Sequence, residues 1–122
     1  MSNAPKLARI RVPNWYYRLK YTGQMAEKHC SHVEQIQVVA SNTDICRDCV
    51  ATGDTWPALR MCLICGYVGC CDKSRNQHTR KHYQATGHPL ILSLHPREAW
   101  VWCYEDRALL DLDSPQFAGR LA

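Results

Sequence analysis

The 122-residue chain has no apolar run approaching the ~20 residues that a membrane-spanning helix needs, so no span is expected in it. It has no internal repeat and no low-complexity tract, which excludes solenoid and filament designs. Residues 1–24 carry five basic side chains but no apolar core of the signal-peptide kind, so no secretory leader is read there. Charge of one sign is also missing where it would matter most. The formal net charge of +4 comes from residues 1–28, which are +5 because six Lys/Arg face Glu27 alone. From residue 29 onward nine Lys/Arg meet ten Asp/Glu. A near-neutral body is a poor electrostatic match for a phosphate backbone, so no nucleic-acid partner is expected.

What the chain does have is metal-binding chemistry. Its eight cysteines are interleaved with histidines and come largely as Cys-x2-Cys pairs, which is the pattern of metal ligation and not of disulfides. The run is Cys30-x-His32, Cys46-x2-Cys49, Cys62-x2-Cys65, Cys70, His78-x3-His82, His88 and Cys103-x2-Asp106. Those twelve residues divide into three sets of four, the number a closed structural zinc site takes, and leave only Cys71 over. Cys71 reads as a small buried filler, and His29 and His95 as surface residues. Thiolates must stay reduced to hold zinc, so an intracellular, cytoplasmic setting is expected.

At this length one domain is expected, with a modest core. The boundaries expected are 1–24 as a basic N-terminal extension, non-native or disordered; 25–114 as the folded module; and 115–122 as a C-terminal tail. The extension carries no ligand and should be dispensable, unless the aromatic strip at 15–17 docks on the module as a strand. Residues 60–61, 67–68, 90–94 and 100–102 are short β-prone pieces bounded by Pro or Gly. A principal helix is expected over 77–86, with Ser74 or Asn76 as N-cap, Gly87 as the residue that stops it and Pro89 just beyond. His78 and His82, four apart, would project from one face of that helix. Residues 107–112 suggest a second short helix. The fold class expected is α+β: a small zinc-stabilised module with a short twisted antiparallel sheet, one principal helix and cross-braced sites.

Spacing alone leaves more than one pairing open. Cys62-x2-Cys65-x12-His78-x3-His82 fits a DNA-reading Cys2His2 finger. Such a finger needs an aromatic and a leucine for its core at positions that hold Gly69 and Arg75 here, and Cys70 interrupts its spacer. A four-cysteine ribbon from Cys46, Cys49, Cys62 and Cys65 would leave Cys70 and three histidines idle.

The arrangement resembles the UBP-type zinc finger, the ubiquitin-tail-binding domain of deubiquitinating enzymes, a cytoplasmic histone deacetylase and a ubiquitin ligase. The resemblance covers residues 30 to about 112. It rests on Cys30-Ser-His32, Cys46-Arg-Asp-Cys49, Trp56, Cys62-Leu-Ile-Cys65-Gly-Tyr-Val-Gly-Cys70, His78-x3-His82-x5-His88-Pro89 and Trp102-Cys103-Tyr104. It implies that Cys46, Cys49, Cys70 and His78 share one zinc and Cys62, Cys65, His82 and His88 a second. Cys30, His32 and Cys103 match three ligands of a third site. Asp106 stands where that site usually has a cysteine, and aspartate is an acceptable zinc ligand. Two to three zinc ions per chain are therefore expected.

The resemblance also implies a pocket for a free C-terminal Gly-Gly, the tail of ubiquitin or of a similar protein, with Trp56, Trp102 and Tyr104 as walls. Two departures bear on it. Cys71-Asp72 replaces the family's Gly-Arg, and Leu109 stands where one member has a tyrosine. A longer loop after Cys70 offers Lys73 or Arg75 as substitute cations. The function expected is a monomeric zinc-binding protein-interaction module. The alternative is a zinc scaffold or interaction domain without ubiquitin binding, and an enzyme is not expected, because four-coordinate sites leave no position for a catalytic water.

Overall fold

The computed structural model describes residues 30–111. The extension expected over 1–24, its aromatic strip, His29 and the tail over 115–122 lie outside the described residues. The elements run in the order 3-10 turn Ser31–Gln35, α1 Arg47–Thr52, β1 Leu59–Cys62, β2 Val68–Cys70, α2 His78–Thr86, β3 Leu90–Ser93, β4 Trp100–Cys103 and β5 Ala108–Asp111. The strands form one antiparallel sheet in the order β2-β1-β3-β4-β5. The fold is α+β, with α2 as its main helix.

Strand register sorts the side chains onto two faces, because successive residues alternate sides of a pleated strand. Met61 opposes Val68 and Leu92, Leu92 opposes Val101, and Val101 opposes Leu110, which makes one apolar row. Met61 and Val101 are fully buried in it. Val33, Ile36 and Val39 from the start of the described chain join the same core. The backbone amides of Gln37 and Val38 both donate to the carbonyl of Leu63, at 2.8 and 3.0 Å, and tie that segment down. The opposite face carries Arg60, Ile91, Trp100, Trp102 and Leu109, with Ile91 opposing Trp102 and Trp102 opposing Leu109.

The principal helix matches the expected span within a residue, and Gly87 ends it in the left-handed region at φ 76°, as a C-terminal glycine does. Its start differs. Gln77, at φ 49°, is the N-terminal flank, and the expected cap Ser74 accepts the Gln77 N–H at 3.0 Å from one turn earlier. Two further corrections concern elements. Residues 107–112, expected as a helix, contain β5, which pairs along the whole of β4. With no Pro or Gly the segment has no strong preference of its own, and pairing with an otherwise open edge of the sheet decides it. The short helix α1 and the 3-10 turn had no counterpart in the expected elements.

The helix α2 packs on β2 at Gly69. A Cβ built there would fall 2.7 Å from the Tyr67 ring, 2.8 Å from Thr79 Oγ1 and 3.0 Å from the Thr79 backbone nitrogen. Backbone therefore approaches backbone at this position, and any side chain would push the helix off the sheet. Gly69→Ala is expected to cost about 1–3 kcal/mol, the usual range for overpacking. It should also speed amide exchange in α2 more than in β3 or β4. An unchanged denaturation midpoint would contradict this close approach.

Candidate metal centres and pocket

Three sets of donor side chains converge, and they are the three expected. Cys46, Cys49, Cys70 and His78 form one; Cys62, Cys65, His82 and His88 another; Cys30, His32, Cys103 and Asp106 the third. Within each set the donor atoms lie within 4.8 Å of one another. His78 Nδ1 stands 3.4 Å from Cys46 Sγ, 3.5 Å from Cys49 Sγ and 3.4 Å from Cys70 Sγ. In the second set Cys65 Sγ is 3.3 Å from His82 Nε2, and Cys62 Sγ is 3.6 Å from His88 Nδ1. In the third, His32 Nδ1 is 3.7 Å from Cys30 Sγ, 3.5 Å from Cys103 Sγ and 3.1 Å from Asp106 Oδ2.

Those lengths test the fit to a metal. With Zn–S near 2.3 Å and Zn–N near 2.0–2.1 Å, a tetrahedron has a sulfur-to-nitrogen edge of about 3.5 Å. The observed contacts cluster about that edge, and the donor types are those zinc takes. The residues fit zinc.

Local structure explains how each donor is aimed. Cys46 flanks the start of α1 and Cys49 sits inside it, so one helical turn brings both thiols to the same side. Cys70 ends β2, and His78 opens α2. His82, one turn later, stacks on Tyr67 with ring centroids 4.4 Å apart and meets the edge of His88 at 5.4 Å. Thr86 Oγ1 accepts the His88 N–H at 3.1 Å and steadies the residue after the helix. Asp106 N–H points to Cys103 Sγ at 3.4 Å in the β4–β5 turn.

The surroundings also tune the donors. Burial pushes the thiols of Cys49 and Cys62 up to about 11 and that of Cys30 up to about 12. Cys70 goes the other way. Burial opposes its ionisation, but hydrogen bonds from Ser74 Oγ, at 2.7 Å, and from the His78 N–H, at 3.2 Å, outweigh it and hold the thiol below its ordinary value. Burial, helped by neighbouring His88, holds His82 below its usual value, which favours the neutral imidazole that ligation needs. The first set is the most enclosed, whereas the second and third each include one exposed donor, Cys65 and Asp106.

On the outer face of the sheet lies a cavity of about 210 Å³, lined by Arg60, Thr79, Arg80, Trp100, Trp102 and Tyr104 among others. Tyr83 stacks on Tyr104 at 4.5 Å and fixes that wall. Arg60 lies 4.6 Å over the Trp100 ring and is held by Leu59 O, Ser93 Oγ and Glu98 at 3.1, 3.0 and 3.3 Å. Cys71, buried, and Asp72 also line the cavity.

Of the five pocket residues expected, Trp102 and Tyr104 line this cavity. Trp56 does not: it is half-buried and packs against the core cluster. Lys73 and Arg75 are exposed and lie outside the lining. The cavity's cations are Arg60 and Arg80 instead. Trp100 was legible in principle, since it sits two residues before Trp102 on one strand and therefore on the same face. Arg80 carried no such signal in the chain.

The comparisons with known proteins agree with this geometry. The family model described as the Zn-finger in ubiquitin-hydrolases and other protein matches residues 46–114, more than half of the chain. The human ubiquitin carboxyl-terminal hydrolase 45 is 31% identical over 98 residues, covering 64% of this chain and 11% of that protein. The zebrafish (Danio rerio) ubiquitin carboxyl-terminal hydrolase 16 is 41% identical over 75 residues, covering 58% of this chain and 8% of its own length. The chain thus spans about a tenth of these curated relatives, and the stretch in common is the finger. A Rhodopseudomonas palustris protein solved by solution NMR is similar at 38% identity, with a TM-score of 0.64 over 80% of this chain and 90% of that one. The chain belongs to the family of zinc fingers found in ubiquitin hydrolases and other proteins.

Proposed function

We propose that this chain is a zinc-held recognition module that binds the free C-terminal Gly-Gly tail of ubiquitin or of a similar protein in the cavity beside Tyr104. The observation that carries the reading is the cavity itself: aromatic walls with arginines among its lining. At about 210 Å³ it is smaller than the ~300–1,000 Å³ of pockets for drug-sized ligands, which suits a backbone without side chains. Aromatic faces pack against such a backbone, and a guanidinium pairs with its terminal carboxylate. The family description and the names of the relatives support a ubiquitin-related role.

In this reading all twelve donors hold zinc, three ions per chain, and the third ion relies on Asp106. Each set supplies four ligands, so the ions crosslink the chain and perform no catalysis. The module works as a monomer in a reducing, cytoplasmic setting, with neither nucleic acid nor membrane as partner. Among the described residues no helix is long and apolar enough to cross a membrane. A second reading, a zinc scaffold without tail binding, is favoured by one observation: both cavity arginines already have acidic partners, Glu98 and Asp72.

Elemental analysis of protein purified without chelator should find three zinc per chain, and Asp106→Ala should lower that to two while the fold persists. One ion or none would sink the assignment. Because burial raises three of the thiols to about 11–12, zinc uptake must displace their protons at any lower pH, so apparent affinity should fall steadily as pH is lowered below that range.

Calorimetry should detect a peptide ending in free Gly-Gly but not the same peptide amidated. A charge-assisted bond to a carboxylate is worth roughly 1.5–3 kcal/mol, or about one to two decades of affinity. Trp102→Ala should weaken binding by at least about tenfold, while Trp56→Ala should lower stability and leave affinity nearly unchanged. Equal binding of acid and amide would favour the scaffold reading.

A further inference from the structure

The acid that stands at position 72 faces the cavity, and it is engaged. Arg80 Nε donates to Asp72 Oδ1 at 3.2 Å, and Arg80 Nη2 donates to Asp72 Oδ2, so the carboxylate fills both prongs of the guanidinium fork. The same guanidinium lies 5.8 Å from the centre of the Tyr104 ring, and both residues line the cavity. The Asp72 backbone is anchored, because Gln77 Nε2 donates to its carbonyl at 2.8 Å. Its neighbour is anchored too, with the Cys71 N–H donating to Ala58 O at 3.1 Å. Arg60, the other cavity cation, is mostly buried and held by three acceptors, so its head group is committed.

We propose that Asp72 is an internal stand-in for the ligand's carboxylate: it occupies the Arg80 fork in the free protein and must yield it when a free C-terminus enters. This rests on the tail-binding reading above and assigns Arg80 as its carboxylate-recognising residue. The geometry favours an anionic ligand over a cationic one. Trp100 and Tyr104 already have arginines over or near them, so an incoming ammonium would meet like charge. A guanidinium fork takes one planar carboxylate at a time, which makes the two acids competitors. The contact is also easy to open, because the Arg80 and Asp72 side chains are 46% and 45% exposed and such pairs are weak. Asp72 therefore tempers affinity without closing the site.

The test is a titration of the zinc-loaded 122-residue chain with a peptide ending in free Gly-Gly and with its amidated twin. The proteins are wild type, Asp72→Asn, Asp72→Ser and Arg80→Gln. Removing the acid should tighten binding of the free acid by about three- to tenfold, the scale of an exposed ion pair plus relieved repulsion, and leave the amide unchanged. Arg80→Gln should abolish the preference for the free acid. In Asp72→Asn the Arg80 Nε–H resonance should shift on adding the free acid only. If wild type prefers the acid while both Asp72 variants bind it no better, the competition is refuted and the tail-binding reading stands. If no protein distinguishes acid from amide, the tail-binding reading falls and the inference with it.

Discussion

Convergence of thiolate and imidazole donors to the edge lengths of a zinc tetrahedron is the constraint on which the rest of this molecule depends. Five of the fifteen buried side chains in its core cluster are cysteines that belong to donor sets. A core with so few aliphatic residues offers limited hydrophobic stabilisation, and neighbouring buried thiols without a metal would add little. The sets also join what the backbone leaves apart. The first links α1, β2 and α2, the second links β1 to α2 and the segment after it, and the third fastens the start of the described chain to the β4–β5 turn. Metal ligation and folding are then one process, as in other small zinc modules.

The cavity follows from that bracing. His78 and His82 commit one face of α2 to the first two sets, and Gly69 lets the helix sit close on the sheet. Thr79 and Arg80 are carried along with the helix and turn toward the outer face of β1, β3 and β4. There the alternation of β4 presents Trp100 and Trp102 side by side, while Val101 and Cys103 face the core. Along β4 the cavity wall and the core are thus opposite sides of one strand.

Much of this was legible in the chain, for physical reasons. Cysteines and histidines at short fixed spacing have few uses, and Gly87 with Pro89 marks a helix end by backbone chemistry alone. The donor grouping came from resemblance, since spacing left the Cys2His2 pairing open. Residues 107–112 could not be read, because strand pairing with β4 decided them and local preference did not. Trp56 and Trp102 are alike in sequence terms, yet one packs on the core and the other walls the cavity. Lys73 and Arg75 were reasonable as substitute cations by proximity to Asp72, but neither is among the residues that line the cavity. Arg80 reaches inward because it rides on α2, and only three-dimensional packing reveals that.

Which side chains share a metal decides the whole arrangement, and proton–cadmium correlation NMR on protein loaded with NMR-active cadmium reads that directly. Three resonances are predicted. One should couple to the Cβ protons of Cys46, Cys49 and Cys70 and to the ring of His78; the second to Cys62, Cys65, His82 and His88; the third to Cys30, Cys103 and His32. A single resonance coupled to Cys62, Cys65, His78 and His82 together would contradict the cross-braced arrangement and everything built on it.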